Sequence, residues 1–348
     1  MELRIYSPEL NLIGIIENQT SLIWTRKYFE PGEFELHAPI TPDNLALLQK
    51  GNIVWKRGDP EAAIIEDIML DEGVFKTEAI IKGRFMSAYM DYRLIKQTVN
   101  INDTAENAMR QLLAGVAPIP LVELGVAHGF GQRVSFQATY KNLMTYETKL
   151  AKAAGLGYRF RPDFTKKKIF FEVYAGNDHS SAQGVISRVI FSESYNNLNH
   201  AIYRFNDQRY KNVAYVGGEG DGSARVVVKV GNATGLALRE LFVDAKDIRK
   251  EDGMSDAAYR QLLIERGFEK LSELPISESF ECDTGADINF KYGIDYDLGD
   301  IITVKKIGWG ITQNFRISEI REIYEYGGVT IEPTFGDPLP EKIDWRDE

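Results

Sequence analysis

The sequence predicts an α+β protein in which β-strands predominate. Short apolar segments of strand length recur toward both ends of the 348-residue chain, and turns rich in glycine and proline separate them. In the middle, apolar residues recur at spacings of three and four, which is typical of amphipathic helices. We therefore predict a β-rich barrel or sandwich over residues 1–95, an α+β domain over 96–190 and a second β domain over 191–348.

The first segment contains closely spaced strands and little helix. "LRIYS" and "LIGIIE" predict short strands, and "SLIWTRKYFEPGEFELHAP" predicts a strand pair that turns at its Pro-Gly dipeptide. In "TPDNLALLQKG", Thr41 can cap a short helix, Pro42 takes its first position, and Gly51 is expected to end it. Two further strands are expected on either side of a turn at 71–73.

The second segment changes to the period of a helix. "NDTAENAMRQLLAGVA" predicts a helix that begins after Asp103 or Thr104. Its buried face is expected to consist of Ala105, Ala108, Met109, Leu112 and Leu113. "YKNLMTYETKLAKAAGLG" predicts a second helix that ends at Gly155, and a hairpin with its turn at 163–166 is expected to follow.

The third segment returns to strands. One amphipathic helix, capped by Ser255, is expected within a helical insertion near 235–275. The stretch "YDLGDIITVKKIGWGITQNFRISEIREIYEYGG" predicts two strands joined by a glycine corner around Trp309, followed by a second turn. The final residues, "GDPLPEKIDWRDE", are expected to form a short extended C-terminal tail.

The composition argues against several classes of protein. A net charge of −10 is unfavourable for a broad phosphate-binding surface, which needs clustered lysine and arginine. The same charge suits a duct for DNA, because a negative wall repels phosphate. Cys282 is the one cysteine, which excludes an intrachain disulfide framework and a cysteine-rich zinc site. The N-terminal stretch lacks a signal-peptide pattern, and no apolar run approaches the roughly 18 residues of a membrane span.

The glycine-rich loop "VGGEGDGSAR" has the composition of a phosphate cradle. A cradle also needs a Gly-Lys-Ser/Thr motif that opens a helix, whereas here the strand "VVVKV" follows. The ligand spacing of a helix–loop–helix calcium site is absent as well. The loop is therefore expected to be a flexible connection between strands, which Glu219 and Asp221 make acidic.

No cluster of residues in the sequence indicates catalysis or metal binding. The histidines are His37, His128, His179 and His200. They are scattered, without the spacing of a metal site. One acidic turn contains Asp295, Asp297 and Asp300. They lie beside glycines, where aspartate usually bonds to the backbone of its own turn. We therefore predict no enzyme activity, no catalytic residue, no metal and no cofactor.

Three stretches spread along the chain resemble one protein family. They are the opening "LRIYSPELNLIGIIENQTSLIWTRKYFEPGEFELHAP", the central "YVGGEGDGSAR" and the closing "YGIDYDLGDIITVKKIGWGITQNFRISEIREIYEYGGVTIEPTFG". Together they are similar to the tail-hub proteins of siphophages that infect Gram-positive bacteria, and to the N-terminal structural part of tail-associated lysins. The resemblance rests on strand and turn patterns without catalytic residues, and it spans nearly the whole chain.

This resemblance implies a phage baseplate hub fold with a structural function. Such a fold has two tube-like β-barrels with smaller α+β elements, and three copies form a ring whose six barrels imitate sixfold symmetry. The ring joins the distal tail protein or tail tube ring to a spike, fibre or receptor-binding protein, and it lines or closes the DNA duct. The tape-measure protein and then DNA pass through without specific binding. Glu219 and Asp221 are the candidates for an acidic loop that faces the lumen.

The resemblance also implies a location and leaves alternatives open. The protein is expected at the virion tail tip after assembly in the host bacterial cytoplasm, without membrane insertion by this chain. Many relatives continue into a peptidoglycan hydrolase or a fibre, whereas this sequence stops at Glu348. Lytic activity is therefore not expected, and a separate protein is expected to bind below. The alternatives are a carbohydrate-binding receptor protein and a hydrolase-bearing tail component.

Overall fold

Strands dominate the described part of the computed structural model, which comprises residues 1–73, 77–283 and 289–336. These residues form 22 strands and four α-helices, so the predicted α+β class with mainly β structure is confirmed. Among them, no helix has the length and apolar character needed to cross a membrane. The predicted extended tail lies outside the described residues beyond 336.

Residues 1–95 form strands and one short helix, close to the prediction. The elements are β1 (Leu3–Tyr6), β2 (Leu12–Ile16), β3 (Ser21–Lys27), β4 (Glu33–Ala38), α1 (Pro42–Leu47), β5 (Ile53–Lys56), β6 (Ala63–Ile64), β7 (Asp67–Glu72) and β8 (Thr77–Arg84). Thr41 caps α1 as predicted, but the helix ends at Leu47 and not at Gly51. The cause is local, because the side-chain amide of Asn52 donates to the Leu47 carbonyl at 2.8 Å and satisfies the open helix end.

The middle segment contains the two predicted helices. Its elements are β9 (Val99–Thr104), α2 (Ala105–Gly115), β10 (Val122–Leu124), β11 (Arg133–Ala138), α3 (Leu143–Ala154), β12 (Gly157–Asp163) and β13 (Lys168–Tyr174). Thr104 caps α2, whose predicted apolar face is buried. Gly155 ends α3 in the left-handed conformation, with a φ of 66°. The helices and the sheet β10-β13-β12 share one hydrophobic core.

The remaining residues return to strands around one long helix. The elements are β14 (Ile190–Ser192), β15 (Asn199–Asn206), β16 (Val213–Gly217), β17 (Val227–Val230), β18 (Glu240–Asp244), α4 (Asp256–Ser272), β19 (Ser277–Asp283), β20 (Ile301–Lys306), β21 (Ile311–Glu325) and β22 (Gly328–Gly336). Ser255 caps α4 as predicted. The helix packs through Tyr259 and Leu263 onto the small sheet β17-β16-β18.

One long sheet joins the two ends of the chain. Its strand order is β15-β19-β22-β21-β3-β4-β8-β7, and β20 with β14 branches off at β21. The junction is the antiparallel pair of β3 with β21, in which Arg26 lies opposite Ile320. Strands from residues 1–95 and from 191 onward are therefore neighbours in one hydrogen-bonded sheet. The predicted division of the chain into three domains stays a prediction.

A second, four-stranded sheet covers the N-terminal half of the long sheet. Its order is β2-β1-β5-β6. Between the two sheets Ile5, Trp24, Leu36, Val54 and Phe85 are fully or almost fully buried. Full burial of one such side chain contributes about 1.5–3 kcal/mol, so this core fixes the position of β3 and β4. In the described part of the chain, the opposite face of the long sheet borders a recess.

Candidate functional site

The open face of the long sheet is concave and carries charges of both signs. It borders a recess of about 1100 Å³. The acidic residues along the recess are Glu30, Glu33, Glu35, Glu66, Asp67, Glu281, Glu319 and Glu332. The basic residues are Lys27, Lys82, Arg84, Arg204 and Arg321, with His200 beside them. The concave face, as we call this surface, therefore has an excess of negative charge.

The alternation of residues along each strand produces this face. In β4, Phe34, Leu36 and Ala38 are buried in the core between the sheets. Glu33 and Glu35 alternate with them and border the recess. Successive side chains of a strand point to opposite faces, so a strand of this pattern has one buried apolar side and one charged side. The sheet therefore presents a wall on which charged residues from several strands predominate, with Ile23, Ile202 and Pro333 among them.

Ion pairs on the concave face connect neighbouring strands. The pairs are Lys27 with Glu33 at 3.3 Å, Lys82 with Glu35 at 2.8 Å and Arg321 with Glu332 at 3.3 Å between nitrogen and oxygen. Pairs that are this accessible to solvent typically contribute about 0–1 kcal/mol to stability. Their main effect is therefore on the distribution of charge along the face.

Two carboxyl groups of the concave face have opposite pKa shifts. Burial raises the pKa of Glu319 to about 7, with Lys27 opposing the shift and Glu33 adding to it. Hydrogen bonds from Lys82 and His37 lower the pKa of Glu35. The charge of the face near Glu319 therefore changes close to neutral pH, whereas Glu35 stays ionised there.

A buried cation joins the long sheet to the segment before β20. The guanidinium of Arg26 lies 3.2 Å from Glu61 and 3.0 Å from Asp297, and it donates to the hydroxyl of Tyr292 at 2.7 Å. Burial raises the pKa of Glu61 to about 7, and the charge of Arg26 opposes this shift. These contacts connect β3, the loop before β6 and the C-terminal segment at one point.

A second buried cation repeats this arrangement next to it. The ammonium of Lys56 lies 2.5 Å from Glu322 of β21 and 3.1 Å from Asp59. The indole nitrogen of Trp24 donates to the same Asp59 carboxylate at 3.0 Å. Each member thus has a partner of opposite charge, so none of these charges is buried alone. The two clusters hold the N-terminal and C-terminal strands in fixed register behind the concave face.

The sequence-predicted acidic loop lies elsewhere, on the small sheet under α4. Asp221 pairs with Lys246 at 2.7 Å, and its side chain is 91% exposed. The carboxylate of Glu219 accepts from the backbone nitrogen of Lys250 at 3.2 Å. The tyrosine hydroxyl of Tyr259 accepts from the backbone nitrogen of Glu219 at 2.7 Å. Local partners thus balance part of the charge of this loop.

His37 and the acidic turn make structural contacts. The ring of His37 lies between Glu35 and Glu78, at 2.7 and 3.0 Å. Asp300 accepts from two backbone nitrogens, those of Asn177 and Asp297, at 2.7 and 2.8 Å. Within the described ranges no group of three or more histidine, cysteine or acidic side chains is arranged to hold a metal ion.

The concave face and the two buried cations were not singled out from the sequence. The signal for the face is present in "EFELHA" and "REIYEYGGVTIEPTF", where charged and apolar residues alternate. The buried clusters have no such signal, because Arg26 and Asp297 are separated by most of the chain.

Comparison with known proteins identifies the family of the chain. The model of the Siphovirus ReqiPepy6 Gp37-like protein family matches residues 2–337. The chain belongs to this Gp37-like family. The predicted resemblance to a siphophage family, which rested on three separate stretches, is therefore confirmed over nearly the whole chain.

Solved phage tail structures share the fold of this Gp37-like protein. The tail protein from Neisseria meningitidis MC58 superposes with a TM-score of 0.59 and 13% identity, over 96% of both chains. The 43 kDa tail protein of prophage MuSo2 from Shewanella oneidensis gives 0.57 and 14%, over 96% of this chain and 98% of that one. Prophage tail protein gp18 from Listeria monocytogenes EGD-e gives 0.56 and 11%, over 98% and 96%. No curated protein matches the Gp37-like chain by sequence.

Proposed function

We propose that the protein is a structural hub of a bacteriophage or phage-like tail tip, and that three copies form a ring around a duct. The observation that carries this proposal is the single long sheet, which joins both β segments and leaves one concave, charged face open. Membership of the Gp37-like family and the shared fold with phage tail proteins support it. On this proposal the protein is a virion component assembled in the host cytoplasm.

The strand order supports two barrel units per chain. Four strands of the eight-strand path, β7, β8, β4 and β3, come from the first segment, and four, β21, β22, β19 and β15, come from the last. We propose that each set is the inner wall of one tube-like barrel. Three copies then supply six similar units around the axis, which matches a sixfold tail tube above and a threefold spike or fibre below.

The number of strands is sufficient for an open duct. Barrels of 16–18 strands already enclose an aqueous channel, and three eight-strand paths exceed that number. The concave face would form the wall, with its excess of carboxylates toward the lumen. A wall of this charge repels phosphate, so DNA and the tape-measure protein pass without specific binding. The loop with Glu219 and Asp221 remains a further candidate for lumen-facing charge.

The oligomeric mass in solution tests the ring directly. We expect the purified chain to form trimers in sedimentation at micromolar concentration, and class averages in electron microscopy to show a ring with a central opening. A monomer at high concentration, or a closed particle without an opening, would overturn the proposal. Incubation with the isolated distal tail protein should give a larger complex of fixed stoichiometry.

Lytic and carbohydrate-binding alternatives are tested on the same preparation. We expect no release of soluble fragments from purified peptidoglycan and no retention on immobilised cell-wall polysaccharide. Turnover of peptidoglycan that grows in proportion to protein concentration would contradict a purely structural role.

A further inference from the structure

The long sheet ends in two edge strands, β15 and β7. Within residues 1–73, 77–283 and 289–336, β15 pairs only with β19 and β7 pairs only with β8. All six residues of β7 are exposed, including Ile68, Met69 and Leu70. An exposed apolar edge strand is a template for pairing with another chain, and monomeric proteins avoid it. Both edges of this sheet therefore require an explanation.

The direction of the strands makes the two edges compatible. Every neighbouring pair along the eight-strand path is antiparallel. With an even number of strands, β15 and β7 run in opposite directions. Rotation about an axis near the strand direction preserves that direction. The β7 edge of one copy and the β15 edge of the next copy would therefore meet as an antiparallel pair.

The charges of the two edges are complementary. Strand β7 contains the acidic residues Asp67, Asp71 and Glu72 and no basic residue, and all three are exposed. Strand β15, "NHAIYRFN", contains His200 and Arg204 and no acidic residue, and both are exposed. Opposite charges on facing strands stabilise a pair, and like charges destabilise it. A β7 edge is therefore suited to a β15 edge and unsuited to a second β7.

The two sides of the sheet also match across such a junction. On the concave side, Asp67 of β7 and Arg204 of β15 border the recess. On the opposite side, Ile68 and Leu70 of β7 are 37% and 51% exposed, and Phe205 of β15 is 55% exposed. Side chains alternate along both strands, so Asp67, Met69 and Asp71 would lie on the concave side with His200, Ile202 and Arg204. On the other side, Ile68 and Leu70 would cover Phe205, with Glu72 at the end of β7.

We propose that β7 of one copy of this chain pairs antiparallel with β15 of the next copy, so that the long sheet continues around the ring. This inference rests on the proposed trimeric ring and specifies which strands close it. The contact is heterologous, because two different edges meet, and a heterologous contact generates a ring when its rotation closes.

Disulfide trapping tests the assignment of the edges. We would introduce Phe205→Cys together with Ile68→Cys, or together with Leu70→Cys, to cover two registers; Cys282 is buried and remains in place. Mild oxidation should give covalent dimers and trimers in at least one double variant and in none of the three single variants. Covalent dimers of a single Ile68→Cys or Leu70→Cys variant would show β7–β7 pairing and overturn the proposal.

Charge reversal provides a second measurement. Arg204 would lie opposite Asp71 if Phe205 faces Leu70, and diagonal to Asp67 and Asp71 if Phe205 faces Ile68. We expect Arg204→Glu to weaken self-association about tenfold, because like charges then face each other across the junction. Adding Asp67→Lys and Asp71→Lys should restore it, whereas Lys229→Glu on β17 should have no effect. A trimer that forms no disulfide in either double variant and is insensitive to Arg204→Glu overturns the edge assignment but leaves the ring. A wild-type monomer overturns the ring itself.

Discussion

Arg26 and Asp297 are 271 residues apart in the sequence, yet their side chains form an ion pair of 3.0 Å behind the concave face. The guanidinium of Arg26 is almost completely buried and also contacts Glu61, whose carboxylate is buried as well. The strand that carries Arg26 pairs with β21 at the centre of the long sheet. One buried cation thus connects the two ends of the chain at the junction on which the concave face depends.

Removal of this cation should cost much of the stability of the fold. Arg26→Leu leaves the Glu61 carboxylate buried without its partner, and such a loss typically costs about 3–5 kcal/mol. Urea unfolding followed by tryptophan fluorescence measures the change. Arg321→Leu is the control, because its pair with Glu332 is largely accessible to solvent and should change stability by about 0–1 kcal/mol. Equal effects of the two variants would contradict a special role of the buried pair.

The pKa shift of Glu319 predicts a pH dependence of stability. Its pKa rises from the ordinary 4.5 to about 7 on folding, because the site is buried. Between these values the folded chain binds a proton that the unfolded chain releases, so stability decreases as pH rises through this window. Urea midpoints at pH 4.5 and pH 7.5 should therefore differ less in Glu319→Gln than in the wild type.

Glu35 is the matched control with the opposite sign. The pKa of Glu35 is lowered on folding. Its carboxylate therefore stabilises the folded state above the ordinary pKa, and this stabilisation is lost as pH falls through the lowered value. Glu35→Gln should accordingly lower the urea midpoint at neutral pH and change it little at acidic pH. If stability depends on pH in both variants as it does in the wild type, these two groups do not determine that dependence.

Two buried glutamates on neighbouring helices should respond to the same substitution in opposite ways. Neither carboxyl oxygen of Glu147 on α3 has a hydrogen-bond partner in the described residues, and burial raises its pKa well above the ordinary value. Glu147→Leu should therefore stabilise the fold, more at pH 8 than at pH 5, since the wild-type group must take up a proton on folding.

Glu106 on α2 is equally buried but accepts hydrogen bonds from the backbone nitrogens of His128 and Phe130 at 2.9–3.0 Å. Glu106→Leu leaves those donors unsatisfied and should cost about 1–3 kcal/mol for each of them. Thermal unfolding at both pH values distinguishes the two variants. Destabilisation by both substitutions to a similar degree would mean that the Glu147 carboxyl has a partner in solution.

Gly83 of β8 permits a close approach of two strands. A Cβ atom at this position would lie 1.8 Å from the backbone oxygen of Ile64 in β6. Backbone atoms in paired strands cannot move aside easily, so Gly83→Ala should destabilise the protein by about 1–3 kcal/mol or more. Gly308→Ala, where no atom lies within 4 Å, is the control and should change stability by less than about 1 kcal/mol. A tolerated alanine at 83 would show that the two sheets can separate locally.

The sequence by itself determined most of the local structure. The cap at Ser255 and the terminating Gly155 are local signals, because a side-chain oxygen or a left-handed glycine acts within a few residues. The alternation in β4 determined that one face would be charged and the other dry. The resemblance to a siphophage family also followed from strand and turn patterns alone.

Only the tertiary structure decided which strands are neighbours. Nothing in the local pattern of β3 specifies β21 as its partner, since these two strands lie near opposite ends of the sequence. The same holds for Arg26. The sequence does not distinguish it from a surface arginine, because its partners Glu61 and Asp297 come from two distant segments. The acidic loop with Glu219 was the natural candidate from composition. The concave face emerged only from folding, because the strands that carry its charges come from both ends of the chain.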